Sequence, residues 1–176
     1  MSRANSKSSR KEDAWRLLFA LIKSSRRSDR DLAKALGISQ PSVSRKRIQL
    51  EKDGFIQEYT IMPNLDKMGY QLIVFTSLAF SQPPTSEILT RARQWVEKQP
   101  CVIFWADGEG AGMGSLMISV HKDYASFSRL FSQFKLYAQS DLKDIQNFYV
   151  SLARKELFIR TFSFRYLEDD KQNQTN

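Results

Sequence analysis

The sequence predicts an α+β chain in two parts, a basic helical first third and a longer section where strands and helices alternate. Three observations predict it. Residues 1–54 carry 14 Lys and Arg against 6 Asp and Glu, while residues 55–176 carry 13 of each, so the whole formal charge of +8 lies in the first part. Apolar residues recur at helical spacing as far as Gly54, and the remainder reads β-α-β-β-α-β. Pro63 and Gly69 break the pattern between the two.

Residues 1–9 are Ser-rich and basic with no apolar anchor, which predicts a disordered arm. A first helix is expected from about Lys11 to Ser24, with Glu12 and Asp13 in its first turn and Trp15, Leu18, Phe19 and Ile22 as its core stripe. Ser28 caps a second helix, and Asp31 stands where a capping box needs an acceptor. Leu32 and Leu36 lie one turn apart, and Gly37 follows where a left-handed cap belongs, with Ile38 plugging the corner. Ser39 caps a third helix with Pro41 in its first turn. Val43 and Leu50 share its inner face, and Arg47 interrupts that face, its stem along the core edge and its guanidinium outside. Gly54 ends the helix, and Phe55 to Met62 reads as a strand with Ile56 inward, a wing. Residues 10–62 thus form a winged helix-turn-helix domain, and 63–70 a linker.

Residues 71–167 read as a ferredoxin-like domain. Strands are expected at Gln71–Phe80, Cys101–Trp105, Leu116–Val120 and Asp144–Leu152, with helices at Ser86–Gln99 and Asp123–Tyr137. Asp107 to Ser115 is a glycine-rich loop. An extra C-terminal strand is expected at Leu157–Leu167, where aromatic and basic residues alternate, and 168–176 is a polar tail.

Composition excludes several classes. The single Cys101 cannot form an internal disulfide or a cysteine-based zinc site, and its neighbours Val102, Ile103 and Phe104 suit a buried structural thiol. One histidine, His121, cannot build a histidine metal site. There is no signal-peptide pattern and no apolar run of the roughly 20 residues a membrane helix needs. The expectation is a cytoplasmic protein with no cofactor and no metal. The glycine loop is no phosphate cradle, because no Lys-Ser/Thr follows it and it joins two strands.

The chain resembles the Lrp/AsnC, or feast/famine, transcriptional regulators. The motif residues are DLAKALGIS at 31–39, QPSVSR at 40–45, LEKDGFIQEYT at 50–60 and Asn64 to Gly69. The resemblance covers roughly Glu12 to Leu167, by motif in the first part and by pattern in the second. It implies a RAM-type second domain that supplies a homodimer, with tetramers or octamers beyond it, and a small effector such as an amino acid bound near the glycine loop between dimers. That loop departs from the family, whose Gly-x-x-Asp is here Gly112-Met-Gly-Ser115.

A third helix of this kind enters the major groove of double-stranded DNA and reads base edges with its N-terminal residues. Gln40, Ser42, Ser44, Arg45 and Lys46 are the candidates for base readout. Arg26, Arg27, Arg30, Ser39 and Arg47 are the candidates for the DNA backbone, with a solvated basic surface as the bland reading of the arginines. Trp105, Asp107, Gly112, Met113, Gly114 and Ser115 are the candidate effector residues, against a loop that needs glycine only to turn. The expected function is a DNA-binding regulator reading pseudo-palindromic promoter DNA as a dimer. Two other classes stand beside it. One is an architectural protein with little sequence preference. The other is a sirohaem-decarboxylase-like enzyme, disfavoured by the lone His121 and the basic third helix.

Overall fold

The computed structural model describes residues 2–138, 141–154, 156 and 158–167, with side chains from Glu12 onward. The chain divides into two compact units. One comprises Met1–Met62 with Arg160–Asn176, and the other spans Pro63–Ile159. No described helix is long and apolar enough to cross a membrane.

The first unit holds α1 (Ser2–Lys23), α2 (Asp29–Leu36) and α3 (Gln40–Lys52). α1 begins well before its expected start, so residues 2–9 are helical rather than an arm. Residues 2–9 contain neither Gly nor Pro, and extending a helix from an anchored segment costs little once it is nucleated. The core is Leu17, Leu21, Leu32, Ala33, Val43 and Leu50, with Ala14, Leu18, Leu36, Ile38 and Ile56 partly buried around it. The expected stripe on α1 was therefore displaced: Leu17 and Leu21 hold the centre, and the bulkier Trp15 flanks it, edge-on to Phe55 at 5.3 Å.

The α2–α3 corner is built as its residues dictate. The Ser28 hydroxyl accepts from the Asp31 amide at 3.1 Å and donates to the Asp31 carboxylate at 2.6 Å. That hydroxyl holds the Asp31 carboxyl below the usual range. Gly37 takes φ 68°, a left-handed cap, and its N–H bonds Ala33 O. Beyond Gly54 the expected wing strand is absent: residues 56–64 form no regular element. Ile56 still packs on the core, but Phe55 is half exposed, and no neighbouring segment completes a ladder among the described residues.

The second unit runs β1 (Leu72–Phe80), α4 (Ser86–Val96), β2 (Val102–Gly110), β3 (Met113–His121), α5 (Tyr124–Ala138) and β4 (Leu142–Ser151). The sheet is antiparallel with order β2-β3-β1-β4, the ferredoxin-like arrangement. Alternation splits its two faces. Val74, Thr76, Leu78, Met117 and Ser119 are buried on the helical face, against Phe127, Leu130 and Phe134 of α5. The opposite face carries Phe104, Ile118, Phe75 and Phe148 in register across all four strands. Phe148 is 68% exposed and Phe104 48%.

Two expectations fail here. The glycine-rich loop is mostly strand: β2 runs to Gly110 and β3 starts at Met113. Only Ala111 (φ 50°) and Gly112 (φ 76°) turn, and positive φ at both central residues is what a tight type I′ hairpin requires. The extra C-terminal strand is not formed. Among residues 158–167 there is only a 3-10 turn at Phe164–Tyr166, where the Ser163 hydroxyl accepts from the Arg165 amide. Such side-chain capping competes with strand geometry. The alternating aromatics pair locally instead, Phe162 with Phe164 and Arg160 over Tyr166. The expected tail at 168–176 lies outside the described residues.

Candidate nucleic-acid interface

α3 owes its outer face to simple geometry. Val43 and Leu50, seven residues apart, fix its inner direction. At 100° per residue, Ser44, Arg45 and Ile48 project on the opposite side, with Gln40 and Pro41 at the leading end. Gln40, Pro41, Arg45 and Ile48 are exposed and Ser44 is partly exposed. Among the described residues, the side chains of Gln40, Ser44 and Arg45 make no hydrogen bond or ion pair. Ile48 is 58% exposed, an apolar side chain one turn beyond Arg45.

Lys46 and Arg47 fall on the two shoulders of the core direction, and each meets a carboxylate from a neighbouring helix. Lys46 Nζ lies 3.3 Å from Asp13 of α1, its side chain 17% exposed. Arg47 grips Asp29 of α2 through Nε at 3.0 Å and Nη2 at 2.5 Å. Its Nη1 donates to the Tyr59 hydroxyl at 3.3 Å, and that hydroxyl donates to Glu51 at 2.8 Å. Burial opposes the Arg47 charge, but the bonds to Tyr59 and Asp29 outweigh it and raise the pKa above its ordinary value. Arg47 is thus a brace between α2, α3 and the residues after them, not the outward guanidinium its position suggested. The Asp29 and Tyr59 partners were missed because their spacings, 18 and 12 residues, lie outside any local periodicity.

Arg26 and Arg30 are exposed without a partner among the described residues, and Arg27 reaches only the Asp31 carbonyl at 3.5 Å. Ser39 heads α3 without a side-chain capping bond to the helix; its hydroxyl meets that of Ser42 at 2.8 Å. The amides at that N-terminus favour an anion. A groove of about 930 Å³ runs beside α3, between Trp15, Phe55, Arg45, Lys46 and Gln49.

Residues 14–57 match the winged helix-turn-helix DNA-binding family model. The chain is 40% identical over 58 residues to an uncharacterised helix-turn-helix transcriptional regulator of Pyrococcus furiosus, covering 33% of this chain and 39% of that one. It is 32% identical over 79 residues to the regulator LrpA of Pyrococcus horikoshii, covering 45% and 56%. These alignments span about two fifths to somewhat over half of the relatives' length. The fold extends further. An AsnC family transcriptional regulator from Agrobacterium tumefaciens superposes with TM-score 0.71 at 20% identity, over 86% of this chain and 92% of that one. The chain is thus similar to LrpA-type regulators in its helix-turn-helix sequence and to AsnC family structures in its fold. A transcriptional regulator of Neisseria meningitidis solved as an L-Met complex superposes with TM-score 0.70 at 18% identity, over 86% and 92%.

The candidate effector residues do not form one site in this chain. Trp105 and Ser115 are locked together on adjacent strands: the indole N–H donates to Ser115 Oγ at 2.6 Å, and that hydroxyl donates to Ala106 O at 3.0 Å. Ser115, the residue standing in place of the family's acid, is 4% exposed and spent on its neighbours. Gly112 serves the turn, and Met113 and Gly114 continue along β3, a Cβ at Gly114 falling 3.6 Å from Phe80. Trp105 and Asp107 line a separate hollow beneath α4. Cys101 is partly buried, and burial pushes its thiol pKa up.

Proposed function

We propose that this chain is a sequence-specific transcriptional regulator that binds pseudo-palindromic double-stranded DNA as a homodimer in the cytoplasm. The observation that carries it is the outward row on α3: Gln40, Ser44 and Arg45 unengaged among the described residues, with Ile48 beside them. Arg45 can bond a guanine bidentately, Gln40 an adenine, and Ile48 can contact a thymine methyl. Arg26, Arg27, Arg30 and the α3 N-terminus at Ser39 are assigned to phosphates. Ser42 stays a base-readout candidate. Lys46 and Arg47 become positioning residues that set the pitch of α3 against α1 and α2.

One such helix reads a short half-site, so specific affinity requires two. The Phe104–Ile118–Phe75–Phe148 row supplies the means, since neither α4 nor α5 packs on that face and a second copy can cover it symmetrically. Higher assemblies and modulation by a small effector such as an amino acid belong to the same proposal. The L-Met complex of the Neisseria meningitidis regulator supports the effector by analogy.

The test is a mobility shift with DNA from the chain's own promoter, repeated against salt. The expected result is a discrete complex whose affinity falls steeply and log-linearly as salt rises. Unchanged mobility of every genomic fragment at low salt and about micromolar protein rules the proposal out, because even nonspecific binding reaches that range. Broad genomic occupancy without discrete sites favours the architectural reading.

A further inference from the structure

The chain leaves the first unit through a stretch that almost nothing holds. The last backbone bonds of that unit run from the Phe55 and Ile56 amides to Leu50 O, at 2.9 and 3.2 Å. The next lie in the turn after Pro63, where Asn64 O and Leu65 O accept from the Met68 and Tyr70 amides. Between them, no backbone group of residues 57–63 makes a backbone hydrogen bond among the described residues. Every residue from Gln57 to Pro63 is exposed, so burial does not fix the path either.

One side chain does. The Tyr59 hydroxyl accepts from Arg47 Nη1 at 3.3 Å and donates to Glu51 at 2.8 Å, and the Arg47 guanidinium lies 5.9 Å from the ring centroid. Burial and the Glu51 bond raise the phenol pKa against the pull of Arg47, so the hydroxyl keeps the proton it donates. Arg47 and Glu51 stand one turn apart on α3, which gives the hydroxyl two points of hold on a single helix. Arg47 is in turn gripped by Asp29 of α2. Tyr59 therefore ties the departing chain to the helix that carries the reading residues.

We infer that Tyr59 is a positioning residue that determines specificity: it fixes where the chain leaves the helix-turn-helix, and with that the separation of half-sites a dimer accepts. The inference rests on the dimeric DNA reading proposed above. With Tyr59 held, only residues 60–63 are free before the turn at Asn64; without it, residues 57–63 are free. At roughly 3.3–3.6 Å per residue, the three added residues extend the reach of each protomer by about 10 Å. That is about three base-pair steps at roughly 3.4 Å each. A dimer selects one half-site separation only while its two reading helices are held a set distance apart. The longer free stretch relaxes that distance. It also lowers the effective concentration of the second helix at its half-site by about twofold, from the three-halves power of free length. Arg47 keeps both bonds to Asp29 when Tyr59 is lost, so α3 holds its pitch and each half-site is still read.

The test uses the full chain and a half-site that the wild-type chain selects from random-sequence DNA. Two copies are placed in inverted repeat, with the separation changed by one to three base pairs either way, and a duplex with one half-site is the reference. The wild-type chain is expected to lose about tenfold or more in affinity two base pairs from its optimum. In Tyr59→Ala that loss is expected to shrink to about threefold or less, with single-half-site affinity within about threefold of wild type. Tyr59→Phe keeps the ring on Arg47 and loses both hydroxyl bonds, so its profile is expected to fall between the two. A wild-type separation penalty that survives in Tyr59→Ala overturns the inference, as does a wild-type chain that binds every separation equally. Single-half-site affinity reduced more than about threefold in Tyr59→Ala also overturns it, because the effect then lies in the reading helix itself. A wild-type chain that selects no DNA overturns the proposed function, a result distinct from a sharp optimum that persists in the variants.

Discussion

Arg45 and Arg47 stand two residues apart on α3, and their truncation should produce opposite phenotypes. Arg47 makes three hydrogen bonds to Asp29 and Tyr59 with its side chain 19% exposed. Removing it strands Asp29, itself 26% exposed, without its cation. Bonds to charged groups are each worth roughly 1.5–3 kcal/mol, and breaking a fully buried pair costs more. Discounted for the residual exposure of both partners, Arg47→Ala should destabilise the first unit by about 2 kcal/mol. In a unit this small that lowers its Tm by roughly 10 °C. Arg45→Ala breaks no intramolecular bond, so stability should stay within about 0.5 kcal/mol. Its DNA affinity should fall by about 1–3 kcal/mol, roughly 5- to 150-fold.

Urea melts followed by circular dichroism read the first quantity, and anisotropy of labelled promoter DNA at low temperature reads the second. A double-mutant cycle with Asp29→Ala should return a coupling of about 1–2 kcal/mol for the Asp29–Arg47 pair. If Arg47→Ala melts like the parent, or Arg45→Ala destabilises as much as it weakens binding, the division between brace and reader is wrong.

Three further outcomes follow from the geometry. Gly37→Val should cost about 1–2 kcal/mol in the same urea melts; a Cβ there meets nothing within 4 Å, so the whole cost is the left-handed backbone at φ 68°. Phe148→Glu places a charge on the open sheet face and should convert dimer to monomer in light scattering, whereas an unchanged mass would remove that face as the interface. His121 is 3% exposed, with Nε2 2.9 Å from Ser119 Oγ, and burial lowers its pKa against the opposing pull of Asp123. Its neutral form is the folded one. The unfolded chain therefore takes up a proton first as pH falls below about 6.5, and stability should drop between there and the depressed folded value. His121→Asn should flatten that slope.

Much of this molecule is legible from neighbours in sequence. Ser28, Asp31 and Gly37 shape the α2–α3 corner through contacts within a turn, and Val43 with Leu50 orients α3 through helical periodicity alone. The order of strands and helices after Gly69 follows from alternation, and with it the ferredoxin-like sheet. These features need only the chain's own few-residue geometry, which sequence states directly.

Other features required distant segments to meet. Whether Lys46 and Arg47 face DNA or protein depends on Asp13 and Asp29, which only helix packing brings to the shoulders of α3. The glycines from Gly108 to Gly114 look like a loop until β2 and β3 pair, after which only Ala111 and Gly112 turn. The alternating residues before Leu167 look like a strand, yet a strand exists only where an edge receives it, and the Ser163 turn forms instead. Ser115 is a candidate effector contact by its place in the loop, yet strand pairing bonds its hydroxyl to the Trp105 indole. Local chemistry determined the reading helix and the fold; non-local packing decided which of its charges remain free to bind a partner.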